Sequence, residues 1–280
     1  MFKNLSPSAI GVAGHQSEII ELAMTYGFGG MDLNMIEFAA QAKLKGASYA
    51  KRLIASAKIR ISGFPLPLNW ETDDQTFAQE LKKLPEYAGY AAELGCTRCT
   101  ALLAPAGDLR PYHENFEFHR HRFHEICAAL QPSGLSLAIG FQAAETLRQD
   151  KAFQFIHDLD ATALLINMVA APNVGLLLDT WDVVASGGSL ETVRKLPANQ
   201  ILAVQVADMP ADAAQPDEKS RLLPGSEGGR VDVAGFLAYL HEQAYDGPVT
   251  AKPSKAAFQT RRRDLIVKQT SEALDKVWPK

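Results

Sequence analysis

The sequence has little cysteine and no long apolar run. Cys96, Cys99 and Cys127 are its three cysteines in 280 residues, too few for a disulfide framework in a chain of this length. The first two form a CxxC, but they lead into an apolar run and have no second ligand pair, so we predict buried thiols and not a zinc or redox site. No segment approaches the ~20 apolar residues of a membrane span, and the N-terminus has no signal-peptide core. We therefore expect a cytoplasmic protein with no membrane partner.

The sequence also lacks an excess of positive charge. It has 28 Lys and Arg against 32 Asp and Glu, a formal net charge of −4, and one basic run, Arg261 to Arg263. Tight sequence-independent binding of nucleic acid requires clustered cations, so we expect no nucleic-acid partner. The glycine-rich phosphate-binding motifs GxGxxG and GxxxxGK[ST] are absent from the sequence as well, which disfavours a doubly wound nucleotide-binding fold.

What the sequence does contain is an alternation of short apolar runs with longer helical stretches. Eight runs have the character of strands that are buried on both faces: Ala9 to Val12, Gly30 to Leu33, Ile59 to Gly63, Cys99 to Leu103, Leu135 to Phe141, Val174 to Leu178, Ile201 to Val206 and Val249 to Ala251. Their even spacing along the chain is typical of a (β/α)8 barrel, which needs ~250 residues. We predict an α/β fold in which residues 1–280 form one barrel domain, with an open doubly wound sheet as the alternative.

Two connecting segments have features of their own. The apolar stripe from Phe77 to Ala91 predicts one helix that Pro85 kinks. The segment Met209 to Arg230 is long and irregular, and it follows the seventh predicted strand. Because loops after the strands of a barrel build its active site, we expect this segment at the functional end.

The candidate functional residues are those that end the predicted strands. They include Asn34, Phe64, Pro105, Gln142, Asp179, Gln205, Asp208 and Lys252. Asp179 ends an otherwise apolar run, where a carboxylate costs free energy unless a cation or hydrogen-bond donors satisfy it. Lys252 ends the eighth run and is the candidate partner of Asp179 across the barrel mouth.

Five segments carry a resemblance to a known family. GFGGMDLN, NVGLLLDTWDV, ILAVQVAD, RLLPGSEGG and VDVAGFLAYLHEQAYDGPV occur in this order over nearly the whole chain. They resemble the xylose isomerase-like TIM barrel family, which contains sugar isomerases, sugar epimerases and enzymes of inositol catabolism. The resemblance is specific for the fold and much less so for the reaction.

The resemblance implies a metal position that this chain has altered. Catalytic members hold a divalent ion with Glu, Asp, His and Glu after strands five to eight. Here the Asp is kept as Asp179. The position of the first Glu is occupied by Gly140 or Gln142, that of the His by Gln205, and that of the second Glu by Lys252. Asp182 also replaces a His that follows the DTW motif in the family. An amide is a poor ligand for Mn²⁺, Mg²⁺ or Zn²⁺ and an ammonium is none. We therefore expect no metal and no other cofactor.

The resemblance and the predicted topology together indicate the rest of the site. Arg221 matches a family position that contacts substrate oxygens, although a salt bridge that anchors its loop is an equal alternative. We also expect substrate contacts from Trp181, Phe64, Glu145 and Tyr112, with packing as the alternative for the aromatic residues. His119, His121 and His124 fall on an outer helix and do not form a ligand set.

Two functions remain open. The first is an isomerase- or epimerase-like enzyme that acts without a metal on a small polyol or keto-sugar, with Asp179, Lys252, Gln205 and Gln142 as catalytic candidates. In it, Lys252 polarises a substrate carbonyl or forms a Schiff base with it. The second is a pseudoenzyme that binds such a ligand or regulates a relative, in which Lys252 and Asp179 form only a salt bridge. The resemblance implies a homo-oligomer in either case.

Overall fold

Eight parallel strands form a barrel in the computed structural model, which describes residues 1–57, 59–213 and 216–280. The barrel strands are β1 (Phe2–Leu5), β2 (Gly30–Asp32), β3 (Arg60–Gly63), β4 (Arg98–Leu102), β5 (Ser136–Gly140), β6 (Val174–Asp179), β7 (Ile201–Val206) and β8 (Pro248–Ala251). They are hydrogen-bonded in the order β3-β2-β1-β8-β7-β6-β5-β4. Each strand therefore lies beside its neighbours in the sequence.

The barrel is closed between β3 and β4 by a short contact just beyond β3. Pro65 and Thr100 form an isolated parallel bridge. The Leu66 N–H donates to the Thr100 carbonyl at 2.8 Å, and the Thr100 N–H donates to the Phe64 carbonyl at 3.0 Å. The predicted (β/α)8 barrel is thus confirmed, with its β3–β4 seam paired at one end.

The helices surround the barrel. They are α1 (Gln16–Thr25), α2 (Met35–Lys45), α3 (Ala47–Ala57), α4 (Asp74–Leu81), α5 (Leu84–Glu93), α6 (Tyr112–Leu130), α7 (Leu159–Val169), α8 (Thr180–Ala185), α9 (Leu190–Val193), α10 (Val233–Glu242) and α11 (Arg263–Val277). The expectation of one kinked helix at Pro85 is wrong. α4 ends before it and α5 begins at Leu84, so Pro85 lies in the first turn of a new helix, where its missing N–H costs nothing. In the described part of the chain, no helix is both long and apolar enough to cross a membrane.

The first strand is the one strand that the sequence pattern placed wrongly. The run Ala9 to Val12 lies in the turn after β1, which is Phe2–Leu5. β1 does not look apolar because Asn4 points into the barrel, where it is 1% exposed and its Nδ2 donates to Thr250 Oγ1 and Asp32 Oδ1, both at 2.8 Å. The other seven strands agree with their predicted bounds to within one residue at each end.

The three cysteines are buried and unpaired, as predicted. Burial raises the pKa of the Cys96 thiol to about 11 and that of Cys127 to about 12. At neutral pH these thiols are protonated, and a protonated thiol is a poor nucleophile.

Substitution by alanine is predicted to have opposite effects on stability at two glycines. A Cβ on Gly175 of β6 would lie 2.4 Å from the backbone carbonyl oxygen of Gln200. Gly175→Ala should therefore lower the free energy of unfolding by about 1–3 kcal/mol, the usual cost of overpacking. Gly89, inside α5, has open space at its Cβ position, so Gly89→Ala should raise the free energy of unfolding by about 0.5–1 kcal/mol. Urea unfolding of both variants checks this, and equal effects would contradict the packing at β6.

Candidate functional site

A buried ionic cluster lies at the carboxyl ends of the strands. Asp179 ends β6, Lys252 follows β8, and Arg221 lies in the long segment after β7. Lys252 Nζ is 3.3 Å from Asp179 Oδ2, which is the pairing expected from the sequence. Arg221 Nη1 lies closer to the same carboxylate, 3.0 Å from Oδ1 and 2.9 Å from Oδ2. Asp179 thus faces two cations.

Arg221 is the centre of this cluster. Its side chain is 2% exposed, and its Nη2 donates to Asp182 Oδ2 at 2.6 Å. Nε and Nη2 also donate to the two carboxylate oxygens of Glu218, at 2.8 and 3.0 Å. The guanidinium lies over the indole ring of Trp181, 4.2 Å from its centroid, which is a cation–π geometry. Every nitrogen of the side chain is therefore bound to a carboxylate within the protein.

Local structure holds the carboxylates in place. Asp179 is the N-cap of α8, and its Oδ1 accepts the N–H of Trp181 at 3.0 Å and of Asp182 at 3.3 Å. Asp182 Oδ1 accepts the N–H of Ala143, just beyond β5, at 2.8 Å. The backbone carbonyl of Arg221 accepts the Ser254 N–H at 2.9 Å. The cluster therefore ties together the ends of β5, β6, β7 and β8.

The charges of the cluster do not balance, because three carboxylates meet two cations. Burial opposes ionisation of Asp179, but the charges of Arg221 and Lys252 outweigh it and hold the pKa of Asp179 below its ordinary value. Burial, together with the charge of Asp179, raises the pKa of Asp182 to about 7. Burial also disfavours the Arg221 cation, but the surrounding carboxylates raise its pKa above the ordinary value. When Asp182 is protonated, two carboxylates face two cations and the cluster is neutral.

The residues present do not fit the divalent ion that the resemblance implies. The retained ligand, Asp179, is occupied by two cations. A metal would have to displace a guanidinium that carboxylates hold on all sides. Throughout residues 1–57, 59–213 and 216–280, no three His, Cys, Asp or Glu side chains are arranged to hold a metal ion.

The remaining predicted residues divide between the cluster and its surroundings. Gln205 is paired in register with Asp179 across β6 and β7, and its Oε1 is buried without a hydrogen-bond partner. Gln142 Nε2 donates to the carbonyl of Leu103 at 3.0 Å. Trp181 and Phe64 are buried, at 0% and 1% exposure. Their rings are thus packed inside the protein and present no open face.

Glu145 and Tyr112 lie outside the cluster. Glu145 is exposed on a 3-10 turn, next to Thr146, whose hydroxyl contacts Asp217 Oδ1 at 3.4 Å. Tyr112 begins α6, is 45% exposed and packs against Phe155 with 5.5 Å between ring centroids. Both side chains are open to solvent, and neither is bonded to the ionic residues.

Three carboxyl groups at the mouth are not among the site residues predicted from the sequence. Asp182 was predicted only as the replacement of a histidine, and the i,i+3 spacing of Glu218 and Arg221 is the sequence signal for their pairing. Asp32, at the end of β2, is the third. Burial raises the pKa of Asp32, while hydrogen bonds from Ser6 and Asn4 oppose that shift. Asp32 lies at a cavity of about 500 Å³ formed by the loops after β1, β2 and β3, on the other side of the mouth from Arg221.

An eight-stranded parallel barrel with ionisable groups gathered at its carboxyl ends defines the chain as a (β/α)8 barrel protein. It belongs to the xylose isomerase-like TIM barrel family, whose model matches residues 20–276.

Individual relatives differ in how much of the chain they match. A 3-dehydroshikimate dehydratase of Pseudomonas putida is 29% identical over 117 residues, which are 41% of this chain and 17% of the dehydratase. The chain thus spans less than a fifth of that relative. A xylose isomerase domain protein from Alicyclobacillus acidocaldarius has a TM-score of 0.88 at 25% identity, with 98% of this chain and 97% of that one covered. D-psicose 3-epimerase from Clostridium cellulolyticum has a TM-score of 0.76 at 12% identity, with 99% and 98% covered, and shows the fold alone.

The proton at Asp182 predicts a specific pH dependence of stability. The folded protein keeps this proton up to pH about 7, whereas an unfolded aspartate releases it near its ordinary pKa of 3.8. The stabilisation by this group is therefore complete below pH about 4 and is lost as the pH rises through 7. In Asp182→Asn the free energy of unfolding should fall less steeply from pH 5 to 7, by up to about 1.4 kcal/mol per pH unit.

Urea unfolding of both proteins at pH 5, 6, 7 and 8 measures this difference. The slope is the readout, because the asparagine amide also disturbs the contact with Arg221 and lowers the stability at every pH. Parallel pH profiles would show that Asp182 is ionised throughout this range.

Proposed function

We propose that this chain binds a small polyol or keto-sugar at the barrel mouth and acts on it, as an isomerase or epimerase does, without a divalent metal. The observation that supports this is the accessibility of Lys252. Its side chain is 17% exposed, whereas those of Asp179, Asp182 and Arg221 are at most 2% exposed. Lys252 is therefore the cation of the cluster that a ligand can reach.

The geometry favours a charge role for Lys252. Its Nζ lies 3.3 Å from Asp179 Oδ2, within ion-pair distance. An ammonium can donate a hydrogen bond to a carbonyl or hydroxyl oxygen of a ligand and stabilise negative charge that develops there. A Schiff base requires the amine nitrogen to attack the carbonyl carbon, whereas here that nitrogen is engaged by Asp179. Lys252 thus fits the polarisation of a carbonyl better than covalent catalysis.

The relatives suggest which ligands to test. A curated relative is a 3-dehydroshikimate dehydratase, and a solved structure of the same fold is a D-psicose 3-epimerase. Reactions of these types commonly remove a proton beside a carbonyl group. A panel of ketohexoses, cyclitols and 3-dehydroshikimate therefore covers the proposed substrate class and the alternative that the dehydratase suggests.

The second candidate is a protein of the same fold that binds such a ligand without turnover. The burial of Asp179, Asp182 and Arg221 favours it, because these groups are bound to one another and do not face a ligand. Such a cluster stabilises the mouth and leaves none of these three groups free to act as a base.

Substitution of Lys252 tests the proposed activity. The replacement of a carbon-bound hydrogen by deuterium is followed by NMR in D₂O for each compound of the panel, with and without Mn²⁺, Mg²⁺ and Zn²⁺. We expect the wild type to exchange a proton of one compound at a rate that the metals do not change. Lys252→Met should lower this rate about 100-fold or more, as expected for loss of electrostatic stabilisation, and Lys252→Arg should lower it less.

Lys255→Met is the matched control, because Lys255 is exposed in the same loop and should leave the rate unchanged. Binding of a compound that depends on Lys252, without exchange, would support the second candidate. Exchange that requires an added metal would overturn the metal-independent proposal. The same conclusion would follow if an added metal raised the melting temperature of the wild type, but not that of Asp179→Asn, because such a shift reports binding to the folded protein.

A further inference from the structure

A second large cavity lies at the opposite end of the barrel from Lys252. Its volume is about 720 Å³, and it is lined by residues that precede or begin β3 and β4, among them Arg60, Ser62 and Arg98. Arg60 is the first residue of β3 and Arg98 the first of β4. The cavity therefore lies at the amino-terminal ends of these strands.

The barrel is open at this point because its seam is incomplete. The backbone pairing of β3 with β4 is confined to the Pro65–Thr100 bridge and its hydrogen bonds, toward the carboxyl ends. In contrast, β4 and β5 are paired in register over the whole length from Arg98 to Leu102. The amino-terminal halves of β3 and β4 leave a cleft between them.

Two guanidinium groups without carboxylate partners among the described residues line this cleft. The guanidinium of half-buried Arg98 makes no hydrogen bond or ion pair with any residue that the structure describes. Arg60 is exposed and likewise has no carboxylate partner among those residues; its guanidinium lies over the ring of Phe2, 4.8 Å from the centroid. Ser62 is 3% exposed, and its Oγ is buried without a hydrogen-bond partner.

Carboxylates at the cleft do not neutralise these arginines. Glu93 lines the cavity but forms an ion pair with Lys51. Asp246 also lines the cavity, is exposed, and forms no ion pair with any residue that the structure describes. Three cations and two carboxylates thus line the cavity, and the pairing of Glu93 with Lys51 leaves two guanidinium groups against one free carboxylate.

We propose that this cleft is a binding site for a small oxyanion, a phosphate or carboxylate group, held by Arg98 and Arg60. A guanidinium offers a planar fork of donors that matches phosphate and carboxylate oxygens. A half-buried guanidinium that lacks a partner carries a desolvation cost. An anion in the cleft offsets this cost at Arg98. The site is separate from the barrel mouth and does not rest on the function proposed there.

Binding of inorganic phosphate to the full chain tests the proposal. Isothermal titration calorimetry is carried out at constant ionic strength, with sodium chloride as the balancing salt. We expect saturable binding at one site, weakened about tenfold or more in Arg98→Ala, because tenfold corresponds to one lost charge-assisted contact of about 1.4 kcal/mol. Titration with acetate and citrate in parallel shows whether a carboxylate or a phosphate is preferred.

Two further variants keep the test decisive. Arg60→Ala removes an exposed side chain and should weaken phosphate binding without loss of the fold, even if Arg98→Ala is unstable. Arg261→Ala is the matched control, because Arg261 is exposed and does not line the cleft; it should bind phosphate as the wild type does. Absence of saturable binding of all three anions to the wild type would overturn the proposal, as would equal phosphate affinities in the wild type and Arg60→Ala.

Discussion

The ion pairs of Arg221 are the interaction on which the mouth of the barrel depends. A guanidinium and two carboxylates at 2% exposure or less carry a large desolvation cost, which only their mutual contacts offset. The three groups come from the end of β6, the first turn of α8 and the segment after β7. Loss of one partner would leave the others buried and uncompensated, so this cluster fixes the relative positions of these segments.

The same contacts decide which chemistry is available. Asp179 already accepts two backbone N–H groups and two cations, so it is positioned as a structural acceptor. Asp182 is bound on both oxygens, by Ala143 and Arg221. Chemistry on a ligand is therefore left to groups at the edge of the cluster, where Lys252 (17% exposed) is the cation and Glu218 (30% exposed) is the carboxylate that solvent reaches.

How far the sequence predicted this structure depended on the environment of each segment. Strands buried on both faces are continuous apolar runs, which is why seven of the eight strands were predicted closely. β1 was missed because its inward residue, Asn4, is polar and is satisfied by side chains of β2 and β8, far away in the sequence. The pairing of Lys252 with Asp179 followed from strand ends alone. The position of Arg221 did not, because it depends on how an irregular segment folds back over the mouth.

Asn4 is part of a wider departure from the usual interior of such barrels, which is filled by branched apolar side chains. Ser62, Thr250 and Gln205 line the same interior, around a void of about 30 Å³ that Asp32 and Arg98 also reach. Asp32 lies at the mouth cavity as well, and Arg98 at the lower cleft. Polar groups therefore run through the barrel from one end to the other. An interior of this kind gives up hydrophobic stabilisation, so the apolar packing that holds the fold must lie mainly between the strands and the surrounding helices, where most of the buried residues are found.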